Sequence, residues 1–227
     1  MYELLIANKN YSSWSLRPWV LMRTLGIPFK ENLLQFPDQP CGDSFAQVSP
    51  NGLVPCLVDG DTRVWESLAI IEYLAERHPG VWPEDPIARA WARSASAEMH
   101  AGFGVLREVC SMNCGLRVRL HQVSPALARD LSRIEALWNE GLARFGGPYL
   151  AGARFTGVDA FFAPVAFRIQ TFGLVLGEVA MAYGKRLLAL PEMQAWYASA
   201  LAETWRDEVH EADTLRGGVM LEDLRAT

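Results

Sequence analysis

The stretch Asn51–Leu74 constrains this chain more than any other, because it orders three signals within 24 residues. Pro55 stands at the mouth of the short apolar run Cys56-Leu57-Val58. Proline cannot donate to a sheet ladder, so it belongs at a strand start or an edge. Asp59-Gly60 is a hairpin turn pair, since both residue types accept positive φ. Glu66-Ser67 then stands directly before the helical apolar pattern of Leu68, Ile71, Leu74 and Ala75. A cis bond at Val54-Pro55 would turn the chain and present the Val54 backbone N–H and C=O to a ligand. Ser67 as N-cap would open a helix whose first N–H groups and dipole favour an anion. One end of the hairpin thus offers unpaired backbone and the other an anion site, a pairing that suits a small zwitterionic peptide. Taken alone, the stretch reads more simply as an ordinary hairpin running into a helix.

The flanking chain extends the pattern. Tyr2–Asn8 is a short apolar run of buried-strand type, followed by the polar loop Tyr11–Ser15. Leu16–Leu25 reads as a helix. Pro18 is tolerated only in its first turn, which puts the start near Ser15 or Leu16, and Gly26 with Pro28 ends it. Phe29–Phe36 is a second strand, parallel to the first because a helix joins them. The order is strand, helix, strand, loop with a short helical turn, strand, strand, helix. That is the order of a thioredoxin-like domain, and it fits residues 1–78. His78–Pro86 holds three prolines and a glycine and reads as a linker over residues 79–86.

Residues 87–227 read as helical. Ile87–Asn113 is one long candidate helix with a stripe through Trp91, Ala95, Met99, Phe103 and Leu106; Ser124–Phe145 is a second. Thr156-x-x-Asp159 is a capping box before the apolar run Ala160–Phe167. Glu192–Trp205 gives the final helix, and the tail from about Asp213 reads as loose. Cys110 and Cys114 lie four apart, on one helical face of the expected helix, near His100 and His121, but without a second matched pair they make a poor zinc pattern, and no metal is expected. The net charge of −5 gives no basic footprint for nucleic acid. No apolar run reaches the roughly 18 residues of a membrane span. The N-terminus lacks a signal peptide's apolar core, and the four cysteines have no scaffold density, which points to a reducing cytoplasm.

Ser12, Ser13 and Ser15 fall at the start of the first helix. They can cap it, and the same geometry can hold a thiolate. A free thiol has a pKa of about 8.5, so lowering it by roughly two units requires about 2.7 kcal/mol in favour of the charged form. A hydrogen bond to an ionised group supplies roughly 1.5–3 kcal/mol and a helix dipole about 0.3–1. One hydroxyl and the helix start suffice without a base. Tyr11 is a rival donor in the same loop. No cysteine lies between Tyr2 and Phe36, which argues against disulfide chemistry there.

Val-Pro followed by Glu-Ser-Leu-Ala-Ile, and Ser12-Ser13-Trp14-Ser15-Leu16-Arg17, resemble the glutathione transferases, above all the Ser-Ser-Cys-Ser-x-Arg motif of the zeta class with its maleylacetoacetate isomerases. The resemblance implies a thioredoxin-like α/β domain and an all-helical C-terminal domain with glutathione between them. It implies Ser12 as the thiolate-activating hydroxyl, supported by Ser13 and Arg17. Val54 before Pro55 would pair with the cysteinyl backbone. Glu66 would take the γ-glutamyl ammonium and Ser67 its carboxylate. Gln39 is the expected contact for the glycine end. An apolar electrophile would lie against Phe103, Leu106 and Arg107. A homodimer is implied, with neither nucleic acid nor membrane as partner. The chain departs from the pattern at Trp14, where the family has cysteine, and at Leu53 and Glu66, where it has glutamine. The arginine tied to the isomerase substrate falls on Thr171, with Arg168 one turn earlier. Conjugation is the leading expectation, with cis–trans isomerisation or non-enzymatic binding as alternatives.

Overall fold

The computed structural model describes residues 1–35 and 45–225. The first part is a four-stranded mixed sheet with helices, in the order β1 (Tyr2–Ala7), α1 (Ser13–Thr24), β2 (Phe29–Leu34), β3 (Cys56–Asp59), β4 (Thr62–Trp65) and α2 (Ser67–Ala75). The strands lie β2-β1-β3-β4, with β1 and β2 parallel and the other pairs antiparallel. This is the thioredoxin-like arrangement. Helix α1 ends as expected, with Gly26 at φ 66° and the Ile27 N–H donating to the Met22 carbonyl at 2.9 Å.

Three local readings shift. Helix α1 begins at Ser13, earlier than Pro18 suggests, because Ser12 caps it. Pro18 therefore sits in the second turn, where it cannot donate to the Trp14 carbonyl. The β3–β4 turn is one residue later than Asp59-Gly60. Asp59 pairs with Thr62, so Gly60 and Asp61 form the loop, and Gly60 takes φ 59° at its first position. The N-cap of α2 is Glu66, and Ser67 is its first helical residue.

The second part comprises α3 (Pro86–Ala101), α4 (Gly104–Val109), β5 (Leu116–Leu120), α5 (Pro125–Phe145), α6 (Gly157–Phe172), α7 (Glu178–Leu188), α8 (Pro191–Ala202), α9 (Glu208–Leu215) and β6 (Gly218–Asp223). Every residue of α6 except Gln170 is buried, and α1, α3 and α7 pack around it. The expected capping box opens this helix: Thr156 N–H donates to Asp159 Oδ2 at 2.9 Å. Asp159 also accepts from Leu150 N–H at 3.0 Å and Tyr183 O–H at 2.8 Å, so one buried carboxylate gathers three separate segments.

The long helix expected over Ile87–Asn113 is broken. Gly102 ends α3, and Phe103 turns left-handed at φ 57° before α4 begins. Cys110 is the C-cap of α4 and Cys114 lies beyond it, so the two do not share a helical face. The tail is also ordered, as α9 and β6, and β6 pairs antiparallel with β5.

Candidate functional site

A cavity of about 610 Å³ opens between the two parts of the chain. Tyr11–Trp14, Asn51, Leu53–Pro55 and Glu66 line it from the first part; Arg107, Ser111, Met112, Arg168, His210 and Asp213 line it from the second.

Ser12 stands where β1 has ended and α1 begins. Its Oγ donates to Ser15 Oγ at 2.7 Å and accepts from the Ser15 N–H at 3.4 Å, which is its capping bond. Ser15 Oγ in turn accepts from Ala7 N–H at 3.2 Å, so the relay is anchored in β1. Ser12 is buried yet belongs to the cavity wall. The loop that aims it is held from far along the chain. The Glu203 carboxylate accepts from Lys9 N–H at 2.6 Å and Asn10 N–H at 3.2 Å, and Trp196 Nε1 donates to the Lys9 carbonyl at 2.9 Å. Asn10 bonds Asn113 at 2.9 Å and accepts from Gly115 N–H at 2.8 Å.

Tyr11 also lines the cavity, but its hydroxyl is engaged elsewhere. It donates to Glu211 Oε1 at 2.6 Å and accepts from Arg225 Nη1 at 2.9 Å and from Asp207 N–H at 3.3 Å. Burial first, and then the bond to Glu211, push the phenol up to about 12.

The Val54-Pro55 bond is cis. Val54 lies just outside the ladder, which starts at Cys56, and both residues reach the cavity wall. Glu66 adopts φ 71° and ψ 127° at the α2 N-cap, a backbone state rarely populated by residues with a Cβ. Its carboxylate lines the cavity, accepts from Asn51 Nδ2 at 3.2 Å and faces His100 Nε2 at 3.8 Å. Ser67 is fully buried behind Glu66, and its Oγ accepts from Arg17 Nη1 at 3.4 Å. Gln39 lies outside the described residues.

The second wall differs from expectation. Of Phe103, Leu106 and Arg107, only Arg107 lines the cavity; Phe103 and Leu106 are packed in the core. The helix break at Gly102-Phe103 explains this, because it rotates the stripe that an unbroken helix would have presented. Thr171 is buried outside the cavity lining, and its hydroxyl donates to the Asn113 carbonyl at 2.6 Å. Arg168 reaches the wall instead, donating to Ser13 Oγ at 3.3 Å and to the Cys110 carbonyl.

Arg107 and Arg168 line the cavity together with the acidic Glu66 and Asp213, while Arg17 is buried and outside the lining. None of the three arginines is ion-paired among the described residues. Arg17 is wedged between Trp14 and Phe161, with its guanidinium carbon 4.1 and 4.7 Å from the ring centroids. Trp14, standing where a smaller residue was expected, thus forms a cation–π lid on the buried charge. Burial first, then the neighbouring arginines, depress Arg17 strongly; Arg168 is pushed down to about 10, chiefly by burial. Each bears a buried Nε without a partner. Uncompensated buried cations favour any anion placed among them. Sequence reasoning located Arg17 and Arg107 but gave no signal for Ser111, His210 or Asp213, which a tail read as loose could not bring to a site.

The sequence profiles described as "Glutathione S-transferase, N-terminal domain" and "Glutathione S-transferase, C-terminal domain" match residues 11–77 and 122–199. A glutathione S-transferase-like protein of Beauveria bassiana is 29% identical over 171 residues, 68% of this chain and 75% of that one. The Caenorhabditis elegans protein named "Probable maleylacetoacetate isomerase" is 27% identical over 173 residues, 73% of this chain and 78% of that one. Among solved structures, a Burkholderia glutathione transferase homologue with bound glutathione superposes with a TM-score of 0.65, at 20% identity, over 88% of this chain and 97% of that one.

Proposed function

The chain belongs to the glutathione S-transferase family, and from that premise we propose that it binds glutathione as co-substrate and that Ser12 favours the bound thiolate for attack on an electrophilic carbon of a small, largely apolar molecule. The observation that carries this reading is the division of labour between neighbours. Ser12 Oγ stands at the cavity wall with Ser15 as its only acceptor among the described residues, whereas the Tyr11 hydroxyl is committed to Glu211 and Arg225.

On binding, the Ser12 O–H turns from Ser15 to the sulfur. Ser15 Oγ keeps Ala7 as donor, and Ser15 N–H continues to donate to Ser12, which polarises the hydroxyl. The guanidinium groups of Arg107 and Arg168 in the wall add to the α1 dipole, so the roughly 2.7 kcal/mol needed for a two-unit shift is within reach. Ser13, held by Arg168, lies next in the chain. In this reading the Val54 backbone beside Pro55 pairs with the cysteinyl unit. Glu66 takes the γ-glutamyl ammonium, and Ser67 at the α2 start takes its carboxylate. The glycine end meets the loop containing Gln39 and Asn51. The electrophile occupies the side of Arg107 and Met112.

The same reading divides the chain into a glutathione-binding domain over residues 1–78, a linker over 79–86 and a helical domain over 87–227. It includes a homodimer and a cytoplasmic setting. Retention on immobilised glutathione and conjugation of chlorodinitrobenzene test it, with kcat/KM at neutral pH falling about ten- to a hundredfold in Ser12→Ala. Failure of both refutes it. Arg168 at the wall and the isomerase-named relative favour glutathione-dependent cis–trans isomerisation as a second reading. Turnover of maleylacetone without net glutathione consumption tests that one.

A further inference from the structure

Arg225, two residues past β6, buries its guanidinium against the loop that carries Ser12. Its side chain is 2% exposed, yet it lies outside the cavity lining. The guanidinium forks: Nη1 donates to the Tyr11 hydroxyl at 2.9 Å, and Nη2 to the Glu203 and Trp205 carbonyls, both at 2.7 Å. The Glu203 side chain in turn accepts from the Lys9 and Asn10 N–H groups. The aliphatic stem crosses Gly115, where an added Cβ would stand 2.5 Å from Arg225 Cδ and 3.2 Å from Asn10 Oδ1. Gly115 thus leaves room for both side chains, and its own N–H donates to that Asn10 oxygen. One arginine therefore reaches, directly or at one remove, each of the three residues that precede Ser12. Holding the tail does not require this. Strand β6 is already paired along β5 from Leu116 to Leu120, and Asp223 is clamped by Arg206 at 2.8 and 3.1 Å. Burying a guanidinium costs desolvation, and its Nε has no partner among the described residues.

We propose that Arg225 is a positioning residue for thiolate formation: from behind the loop it sets where the Ser12 hydroxyl points. The proposal rests on the glutathione reading above. Ser12 must present its O–H to a sulfur at hydrogen-bond range, and such a bond weakens steeply with misalignment. Helix α1 holds Ser12 from one side through the bonds to Ser15. On the other side the chain leaves β1 at Ala7 and turns, with the Tyr11 and Ser12 N–H groups both on the Asn8 carbonyl. The remaining donors of that turn, the Lys9 and Asn10 N–H groups and the Tyr11 hydroxyl, meet Glu203, Glu211 and Arg225. A planar fork with five N–H donors serves three acceptors from separate positions at once. An ammonium at the same place carries the charge without that geometry. The Tyr11 hydroxyl is one acceptor of three, so its removal alone leaves the arginine seated. Losing the fork frees the Glu203–Trp205 backbone and the turn together. Placement of the sulfur's donor then depends on a side chain 214 positions beyond the loop it steadies.

The experiment titrates the thiolate absorbance of the glutathione complex in the full-length wild type, Arg225→Lys, Gly115→Ala and Leu187→Ala, with thermal melting of each. Leu187 is fully buried on α7, which packs on α5, α6 and α8, so its truncation supplies a loss of stability placed away from the loop. The expected result is a thiol midpoint about one unit higher in Arg225→Lys, a tenfold loss of thiolate preference. Gly115→Ala moves it in the same direction, because the new Cβ displaces the arginine stem and leaves the guanidinium in the protein. Leu187→Ala lowers Tm and keeps the wild-type midpoint. With chlorodinitrobenzene, the rising limb of kcat/KM against pH moves up by the same unit in Arg225→Lys, and the plateau returns at alkaline pH. An Arg225→Lys midpoint within about 0.3 unit of wild type, a twofold change, or an equal shift in Leu187→Ala, overturns the proposal and leaves Arg225 a tail anchor. Where Arg225→Lys yields no folded protein, the Gly115→Ala midpoint decides by the same criterion. A wild type that does not bind glutathione, or whose bound thiol titrates at the free value, overturns the glutathione reading and this inference with it.

Discussion

Replacing Tyr11 with Phe separates the two hydroxyls that compete for the role of thiolate donor. The substitution keeps the ring and removes three contacts: to Glu211 at 2.6 Å, from Arg225 at 2.9 Å and from Asp207 N–H at 3.3 Å. Neither charged partner is orphaned. Glu211 retains Asn113 Nδ2 at 3.2 Å and the guanidinium groups of Arg225 and Arg206 at 3.5 and 3.6 Å. Arg225 keeps the Glu203 and Trp205 carbonyls, both at 2.7 Å. The loss is therefore that of two bonds to charged groups that each keep other partners, and of one weak backbone bond, about 2–4 kcal/mol in all. For a chain of this size that lowers Tm by roughly 5–12 °C. Because the phenol is pushed up to about 12 and its proton points to Glu211, the thiol pKa of bound glutathione should stay where it was. Thermal melting and ultraviolet titration of the thiolate measure the two effects on the same preparation. A thiol midpoint that rises by a unit or more, about 1.4 kcal/mol, in Tyr11→Phe would show that the tyrosine does contact the sulfur and would refute the assignment to Ser12.

Asp159→Ala leaves the Leu150 and Thr156 N–H groups and the Tyr183 hydroxyl buried without an acceptor. At about 1–3 kcal/mol each, this rivals a domain's whole stability of roughly 5–15 kcal/mol, so little folded protein should be recovered from expression. Burial raises the Asp159 carboxyl to about 6 against the pull of its four hydrogen bonds. Its folded pKa exceeds the unfolded one, so it contributes stability below about pH 4 that is lost as pH rises through about 6, in total about 3 kcal/mol. Urea midpoints across that window should decline in the wild type and more weakly in Asp159→Asn. Cys56, Cys110 and Cys114 are buried, and burial raises each thiol, Cys110 to about 12. Peptide mapping should find all three unmodified after iodoacetamide treatment of the native protein and alkylated once it is unfolded. Glu203→Ala removes the acceptor of the Lys9 and Asn10 N–H groups and should raise KM for glutathione severalfold, because the Ser12 loop loses an anchor.

The parts of the site legible in the sequence are those whose geometry is set locally. Val54-Pro55, the turn at Gly60 and the Ser12 cap each depend on residues within a few positions, and residue chemistry alone points to them. Even there, the α2 N-cap moved from Ser67 to Glu66, because Glu66 takes a positive φ that side-chain preference disfavours. The helical half failed where a local pattern allowed two outcomes. Ala95, Met99, Phe103 and Leu106 fit one continuous stripe, yet Phe103 turns left-handed and sends its side chain and that of Leu106 into the core. The alternation Leu116-Arg117-Val118-Arg119-Leu120 did carry a strand signal, but its partner β6 lies about a hundred residues away. That distant pairing orders the tail and brings Asp207, His210, Glu211 and Arg225 to the Ser12 loop. No periodicity within a window could have announced it.

The central claim is that a hydroxyl at position 12, at the start of α1, makes the sulfur of bound glutathione negative at neutral pH. Titrating the thiolate absorbance of the complex tests this directly. The account predicts a midpoint about two units below the free value of about 8.5 in the wild type, rising by about one to two units in Ser12→Ala. A wild-type midpoint at the free value, or one that Ser12→Ala leaves unmoved, contradicts it.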